Sequence, residues 1–215
     1  MKHFRFLFCL IMLVFSNSAL AQDPKTPADL RRVAQEYYNW RNQNYPVFSS
    51  DAGLHTWDHK LTDYSLSAVL MRRLQVKETL AKVRAMQTAS LNKEDRIDWL
   101  LFRAQLDGTD FFNRVIDFEE TDPQTYVNEC SNGIFSLLKK EYDAPRNRAL
   151  AATARLKQMP FLIEQGKGNL NKPVRLYAQL AIDSARSSAA AVSASLLSNT
   201  LVAAAACAHR ASAFS

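Results

Sequence analysis

The residues best suited to chemistry are His55 and His59, which stand four positions apart with Asp51 and Asp58 close by. On a helix, two histidines at this spacing share one face and can bind the same metal ion. Gly53 and the polar residues around it favour a loop instead, where the spacing carries no such meaning. The favoured interpretation is therefore a loop with local His–Asp hydrogen bonds. A metal site at His55 and His59 is the less favoured alternative.

A second candidate is the pair Glu94 and Asp98, one helical turn apart, because paired carboxylates can carry out acid–base catalysis. At a helix N-terminus such carboxylates usually interact with the helix dipole, and we favour that interpretation. The sequence has four histidines, none of which begins an H-E-x-x-H zinc motif, and it has no G-x-S-x-G nucleophile turn. We therefore assign no catalytic and no cofactor-binding residue to this chain.

Helical periodicity dominates the elements that would position these side chains, and no segment alternates convincingly with period two. Four predicted helices begin at a capping residue or a proline: Thr26, Ser65, Asn92 and Pro145. Pro160 is expected to kink or split the last of them. Residues 46–64 and 117–129 are expected to be connections, and a further helix begins near Pro173. The predicted fold is all-α, an irregular bundle of about six helices.

Apolar residues recur at helical spacing on the second and third predicted helices. On the second helix they are Leu66, Val69, Leu70, Leu74, Leu80 and Val83. On the third helix they are Ile97, Leu100, Leu101, Ala104 and Phe111. Both stripes are expected to face the core, as such stripes usually do.

The N-terminus has the pattern of a secretory signal peptide. A basic start is followed by an unbroken apolar run from Phe6 to Phe15 and by the small-x-small sequence Ala19-Leu20-Ala21. The run is too short to span a bilayer, which needs roughly 20 residues. We expect residues 1–21 to be removed and the protein to be periplasmic or extracellular, with no stable membrane span.

The charge distribution and the cysteine content argue against nucleic-acid binding and against a disulfide framework. Removing Lys2 and Arg5 with the signal peptide lowers the formal net charge from +6 to +4, and the remaining basic residues are interspersed with acidic ones. An exported protein without a basic stripe is a poor candidate for binding nucleic acid. Cys130 and Cys207 remain, with no spacing that indicates a disulfide framework, so Cys130 is expected to be a buried free thiol.

The C-terminal residues differ sharply in composition from the rest. From Ala185 onward alanine and serine dominate, no acidic residue follows Asp183, and residues 189–206 carry no charge. Three interpretations stand: a frameshift or truncation, which we favour; a genuinely short variant; and an Ala-rich helix that packs on the body. The predicted organisation is a signal peptide (1–21), a helical body (22–185) and a divergent tail (186–215).

The order of several local patterns resembles a known family. The patterns are Trp40-Arg41, Tyr45-Pro46, Gly53-x-His55-x-Trp57-Asp58, Asp63-Tyr64-Ser65, Asp95-Arg96-Ile97-Asp98, Phe135-Ser136-Leu137-Leu138 and Arg155-Leu156. From about Leu30 to about Ala185 the chain is similar to the N-terminal region of the bacterial domain of unknown function 885 (DUF885) family.

The resemblance implies that full-length relatives are longer, largely helical, often exported, and zinc-dependent peptidases acting on peptide substrates. Their H-E-x-x-H helix lies far downstream, and this chain lacks it, so zinc is expected only in those relatives. The predicted function is the N-terminal helical segment of an exported DUF885 protein, inactive by itself. The alternative is a stand-alone exported helical protein that binds a ligand or serves as a scaffold.

Overall fold

The computed structural model describes residues 27–191, which contain helices and no strand. The helices are α1 (Pro27–Asn44), α2 (Pro46–Asp51), α3 (Leu66–Arg84), α4 (Lys93–Phe111), α5 (Phe118–Thr121), α6 (Gln124–Leu138) and α7 (Pro145–Asn169). Residues 175–191 are also helical. The all-α prediction is confirmed. Residues 1–26, which include the predicted signal peptide, and residues 192–215 lie outside the described residues.

Two of the predicted helix starts are visible as side-chain caps. Ser65 Oγ accepts a hydrogen bond from the Ala68 N–H at 3.4 Å, and Asn92 Oδ1 accepts one from the Asp95 N–H at 2.9 Å. Pro145 occupies the first turn of α7, where its missing N–H costs nothing. The cap predicted at Thr26 lies outside the described residues.

Two predicted connections were wrong, and the predicted split at Pro160 does not occur. The segment 46–64 opens with α2, whose Pro46 is in the first turn, and α6 begins at Gln124 inside the predicted connection 117–129. Helix α7 runs without interruption through Pro160. Buried Arg155 and Leu162 flank this proline, and their packing holds the helix together despite the lost backbone hydrogen bond.

The core consists of two main clusters that share α3. The first cluster joins α1, α3 and α4 through Leu30, Val33, Tyr37, Val76, Leu80, Val83, Met86, Trp99, Phe102 and Leu106. The second joins α2, α3, α6 and α7 through Val47, Leu61, Tyr64, Val69, Tyr126 and Leu162. Helix α3 therefore connects the two halves of the bundle.

The apolar stripes face the core only in part, which corrects the sequence prediction. On α3, Val69, Leu80 and Val83 are buried as expected. All five predicted residues of α4 are exposed, and the buried apolar positions of that helix are Trp99, Phe102 and Leu106. We call the exposed sets the outer stripes: Leu66, Leu70 and Leu74 on α3, and Ile97, Leu100, Leu101, Ala104 and Phe111 on α4.

The C-terminal part of the described chain continues past the predicted boundary at residue 185. The helix 175–191 crosses that boundary without interruption, and Ser188 Oγ accepts a hydrogen bond from Ser131 Oγ of α6 at 2.9 Å. The first residues of the Ala/Ser-rich tail therefore contact the body. Within residues 27–191, no helix is long and apolar enough to cross a membrane.

Candidate functional site

A fully buried arginine, Arg155 of α7, lies where α2, α6, α7 and the segment after α2 meet. Its guanidinium donates hydrogen bonds to the carbonyls of Lys60 (2.9 Å), Gly133 (2.6 Å) and Pro46 (3.4 Å). It also donates to two serine hydroxyls, Ser50 Oγ at 2.6 Å and Ser136 Oγ at 3.1 Å. We call this group the arginine centre. Its hydrogen bonds connect α7 to α2, to α6 and to the segment after α2.

The charge of Arg155 is balanced by carboxylates it does not touch directly. Burial lowers the pKa of Arg155, and the carboxylates of Asp58 and Glu129 oppose that shift. Ser50 Oγ, which accepts from Arg155, donates to Asp58 Oδ1 at 2.6 Å and so links the two charges. Glu129 accepts the Thr62 N–H at 2.8 Å, and burial raises the pKa of this glutamate. Arg155, Ser50 and Asp58 thus form a buried hydrogen-bonded network, to which Glu129 contributes its charge without a direct hydrogen bond.

The predicted histidine candidates lie at the edge of the arginine centre. His55 Nδ1 lies 3.0 Å from Asp58 Oδ2, and the imidazole stacks on the Tyr142 ring with centroids 3.4 Å apart. His59 is exposed, and its carbonyl accepts a hydrogen bond from Gln158. The contact between His55 and Asp58 is a local His–Asp hydrogen bond of the kind that the sequence predicts.

A zinc ion does not fit these residues. Within residues 27–191, no group of three or more His, Cys, Asp or Glu side chains is close enough to hold a metal ion. Zinc sites in proteins take three or four such ligands. His55 has Asp58 on one ring nitrogen and stacks flat on Tyr142, which fixes its orientation within the protein. We therefore derive no zinc chemistry from the described residues.

The other candidate residues from the sequence are the carboxylates Glu94 and Asp98 and the thiol of Cys130. Glu94 and Asp98 are both exposed, whereas their neighbour Asp95 is buried and pairs with Arg31 at 2.9 Å. Cys130 is a free, partly buried thiol, and burial raises its pKa to about 11. A thiol with a raised pKa is a poor nucleophile at neutral pH. The two carboxylates thus lie at the surface, and the thiol packs against the second core cluster.

Polar side chains of α7 bind the backbone of the segment that leads into α3. Gln158 accepts the Leu61 N–H at 3.1 Å, and Gln165 accepts the Tyr64 N–H at 3.0 Å. Asn169 donates to the Tyr64 carbonyl at 2.8 Å. Backbone groups that form no secondary structure need such partners. This arrangement fixes the start of α3 against the end of α7.

A cleft of about 420 Å³ opens between the start of α3, α5 and the end of α7. We call it the α3–α7 cleft. Its lining residues are Tyr64, Ser65, Leu66, Val69, Leu70, Arg73, Glu119, Glu120, Gln165, Gly168, Asn169 and Asn171. The volume falls in the range of small-molecule sites, roughly 300–1,000 Å³. Among the described features, this cleft is the candidate binding site.

The acidic side of the cleft is positioned by an unusual turn. After α4 the chain makes a π-helical turn over Phe112–Ile116, and Asp117 then adopts a left-handed conformation with φ 51°. Residues other than glycine seldom adopt this conformation, and such strain is often found near functional sites. Arg73 donates to Asp117 at 2.5 Å and to Glu119 at 3.0 Å, which holds the turn onto α3.

The other wall is held by backbone hydrogen bonds between the chain after α7 and α5. The Lys172 N–H donates to the Glu120 carbonyl at 3.1 Å, and the Val174 N–H donates to the Thr121 carbonyl at 2.9 Å. The side chains of Lys172 and Glu120 pair at 3.3 Å near the surface. The sequence analysis did not identify this cleft, because its residues come from segments about 50 positions apart. The left-handed Asp117 has no signal in the local sequence.

Comparison with known proteins shows the family of this chain and a solved structure with a similar fold. The family model for "Bacterial protein of unknown function (DUF885)" matches residues 46–213. The match therefore extends beyond Ala185, where the resemblance was expected to end. A comparison with curated proteins gives no match.

The solved structure of a candidate lipoprotein of unknown function from Shewanella oneidensis has a similar fold, with a TM-score of 0.67 and 18% sequence identity. The similarity covers 74% of this chain and 29% of that chain. The present chain therefore spans less than a third of the length of that protein.

Proposed function

Because the chain belongs to the bacterial DUF885 family, we propose that its helical body forms one wall of a substrate cleft in an exported peptidase. In this proposal, polypeptide beyond the helical body supplies the zinc-dependent chemistry. The body itself positions peptide substrate and contributes no metal ligand. The observation that carries the proposal is the pair of outer stripes, which leave apolar faces of α3 and α4 uncovered.

Helix α4 has apolar side chains both on its buried face and on its exposed face. Trp99, Phe102 and Leu106 face the core, whereas Leu100 and Leu101 face outward, and Leu101 is 65% exposed. Helix α4 also carries charged side chains, but Ile97, Leu100 and Leu101 lie within about one turn of each other, so their exposed surfaces adjoin. Contiguous exposed apolar surface marks an interaction site. The outer stripe of α4 therefore supports packing against further protein.

The match to a longer solved chain supports the same proposal. The matched part makes up 29% of that protein, so the shared fold exists there next to a larger remainder. A wall of this kind needs a rigid body, and the arginine centre together with the α7 side chains supplies one. Those groups cross-link α2, α6, α7 and the start of α3.

A second candidate function is a stand-alone exported binding protein, and the α3–α7 cleft favours it. The cleft is formed entirely by the described residues and has the volume of a ligand site. A binding protein would be stable as a soluble monomer and would have no need of a partner on its outer stripes. The two functions differ in what the outer stripes do in solution.

The two functions can be separated by hydrophobic dye binding. We expect the folded chain to enhance the fluorescence of anilinonaphthalene sulfonate and to self-associate as its concentration rises. The double substitution Leu100→Gln with Leu101→Gln should reduce both signals, the fluorescence by about twofold or more. The control is Leu150→Gln with Leu176→Gln, which removes two comparably exposed leucines outside the outer stripes.

Two results would contradict the proposed wall. One is a monomer that unfolds in one sharp transition and binds no dye, which would favour the binding protein. The other is zinc-dependent peptide hydrolysis by the purified chain, which would place the chemistry in the helical body itself. Equal dye loss in both double variants would show that the outer stripe of α4 is not a distinct surface.

Export is proposed from the N-terminal sequence pattern, and the neighbour named as a lipoprotein is consistent with an exported fold. We expect protein expressed with its own N-terminus to appear in the periplasmic or extracellular fraction, with Gln22 as the first residue. Replacing Leu10 and Leu13 with arginine should interrupt the apolar run and leave the chain uncleaved in the cytoplasm. N-terminal sequencing of fractionated protein measures this, and an intact Met1 in the exported wild type would refute cleavage at residue 21.

A further inference from the structure

We propose that residues 192–199 continue the helix 175–191 and pack on the exposed face of α6, over Phe135 and Leu138. This inference goes beyond the proposed function, since it concerns neither the outer stripes nor the source of the zinc chemistry. It assigns an occupant from this chain to an apolar surface of the helical body. It also gives a definite place to the Ala-rich helix that stands as the third interpretation of the tail.

The surface to be covered is the face of α6 that carries Ser131, Phe135 and Leu138. These residues are spaced four and three positions apart, so their side chains lie on one side of the helix. Phe135 is 60% exposed and Leu138 is 51% exposed, whereas Leu137 between them is fully buried. The Nζ of Lys139 lies 5.4 Å from the centre of the Phe135 ring, a contact that leaves most of this residue exposed.

The last described helix, 175–191, already lies on this face and runs towards the exposed pair. At its start the Val174 N–H donates to the Thr121 carbonyl at 2.9 Å, just before α6 begins. Near its end Ser188 Oγ accepts a hydrogen bond from Ser131 Oγ at 2.9 Å, midway along α6. The helix therefore advances along α6 in the chain direction. Its next turns lead towards the C-terminal half of α6, where the exposed pair lies.

The last described helix turns one face towards the body, and the spacing of that face can be extended into the tail. Its less exposed residues are Tyr177, Ala178, Ala181, Ser184 and Ser188. In a continued helix, Val192 follows Ser188 by four residues and Leu196 follows it by eight, so both lie on this face. Leu197 follows Ser188 by nine residues, or about two and a half turns, and would lie on the opposite side.

The distances along the two helices match as well. Phe135 lies four residues beyond Ser131 on α6, and Val192 lies four residues beyond Ser188, which is about 6 Å in each helix. A further turn brings Leu196 level with Leu138, since these residues lie eight and seven positions beyond the paired serines. Packing of the two tail side chains on the exposed pair would remove apolar surface of both partners from water.

The composition of the tail is suited to this role. Residues 189–206 carry no charge and are rich in alanine, the residue with the strongest preference for helix. The DUF885 family model extends through residue 213, so the tail lies within the matched region. A helix of this composition can approach α6 closely without burying a charge.

Disulfide trapping tests where the tail lies. In the mature chain, Cys130→Ser and Cys207→Ser remove both native thiols, and Phe135→Cys with Val192→Cys supplies a new pair. A disulfide requires the two Cα atoms to approach within about 7 Å. We expect this pair to oxidise at least about tenfold faster than the control pair Phe135→Cys with Leu197→Cys, whose second thiol would point away from α6.

Hydrogen exchange measures whether packing protects the tail. We expect the amide hydrogens of residues 192–199 to exchange at least about tenfold more slowly than in an unstructured peptide. Phe135→Gln with Leu138→Gln should remove most of this protection. The control Leu150→Gln with Phe161→Gln removes two comparably exposed apolar side chains from α7 and should leave the protection unchanged. Circular dichroism confirms that each variant folds.

Equal oxidation rates of the two cysteine pairs would overturn the inference. A disulfide between two chains through position 135 would also overturn it, because a second copy would then cover this face. Rapid exchange throughout residues 192–199, or protection that survives in the α6 variant, would be equally contrary. Dye binding by the outer stripe of α4 is a separate measurement, so the failure of this inference and the failure of the proposed function are distinguishable.

Discussion

Replacing Arg155 with methionine is expected to lower the free energy of unfolding by about 3–5 kcal/mol, because it removes one partner from a buried charged network. The substitution keeps much of the side-chain volume and removes every hydrogen bond of the guanidinium. The Lys60 carbonyl would lose its side-chain donor, and Ser50 would lose the charge that it links to Asp58. A buried acceptor without a partner costs about 1–3 kcal/mol.

Urea denaturation followed by circular dichroism measures this loss. The control is Arg146→Met, an exposed arginine on the same helix, which should change the free energy of unfolding by no more than about 0.5 kcal/mol. Similar losses in both variants would show that the arginine centre does not stabilise the fold. Arg155→Lys keeps the charge and loses the fork of donors, so it should fall between methionine and wild type.

Substituting alanine at two helical glycines is expected to change stability in opposite directions. A Cβ at Gly166 would lie 2.7 Å from Cγ of Tyr126, whose buried ring is held by a 2.7 Å hydrogen bond from its hydroxyl to the Glu119 carbonyl. Because that ring cannot move away freely, Gly166→Ala should lose about 1–3 kcal/mol through overpacking. Gly108→Ala meets no atom and should gain roughly 0.5–1 kcal/mol from helix propensity.

Thermal unfolding of the two variants and the wild type provides the comparison. The melting temperature should fall for Gly166→Ala and rise for Gly108→Ala. A gain at both positions would mean that α6 and α7 separate enough to admit a methyl group, and the close packing of Tyr126 against α7 would then be refuted. In the double variant Gly166→Ala with Tyr126→Leu the two losses should add up to less than their sum, because the smaller side chain at position 126 relieves the contact.

Much of the secondary structure could be predicted, because its signals are local. Ser65 and Asn92 cap their helices within three residues of themselves, and Pro145 suits a first turn whatever surrounds it. Where a prediction failed, a local sequence signal was outweighed by packing in the folded protein. Pro160 does not split α7, because buried residues on both sides hold the helix against its neighbours.

The candidate sites, in contrast, depend mostly on residues that are distant in the sequence. His55 was identified as a polar residue with a local aspartate, and Asp58 is indeed its partner. No local pattern indicates that Arg155 is fully buried, since arginine is normally exposed and its hydrogen-bond acceptors come from distant positions between 46 and 136. The α3–α7 cleft likewise combines three segments of the chain, and its turn at Asp117 depends on Arg73, 44 positions earlier.

Capping, periodicity and motif spacing act over a few residues, so the amino-acid sequence was enough to predict a bundle of helices with no recognisable metal motif. Which apolar face of each helix is buried depends instead on how the helices pack against one another. On α4 apolar residues recur on both faces, so periodicity could not choose between Leu101 outside and Phe102 inside. The choice follows from packing against α1 and α3, and it leaves the exposed outer stripe on which the proposed function rests.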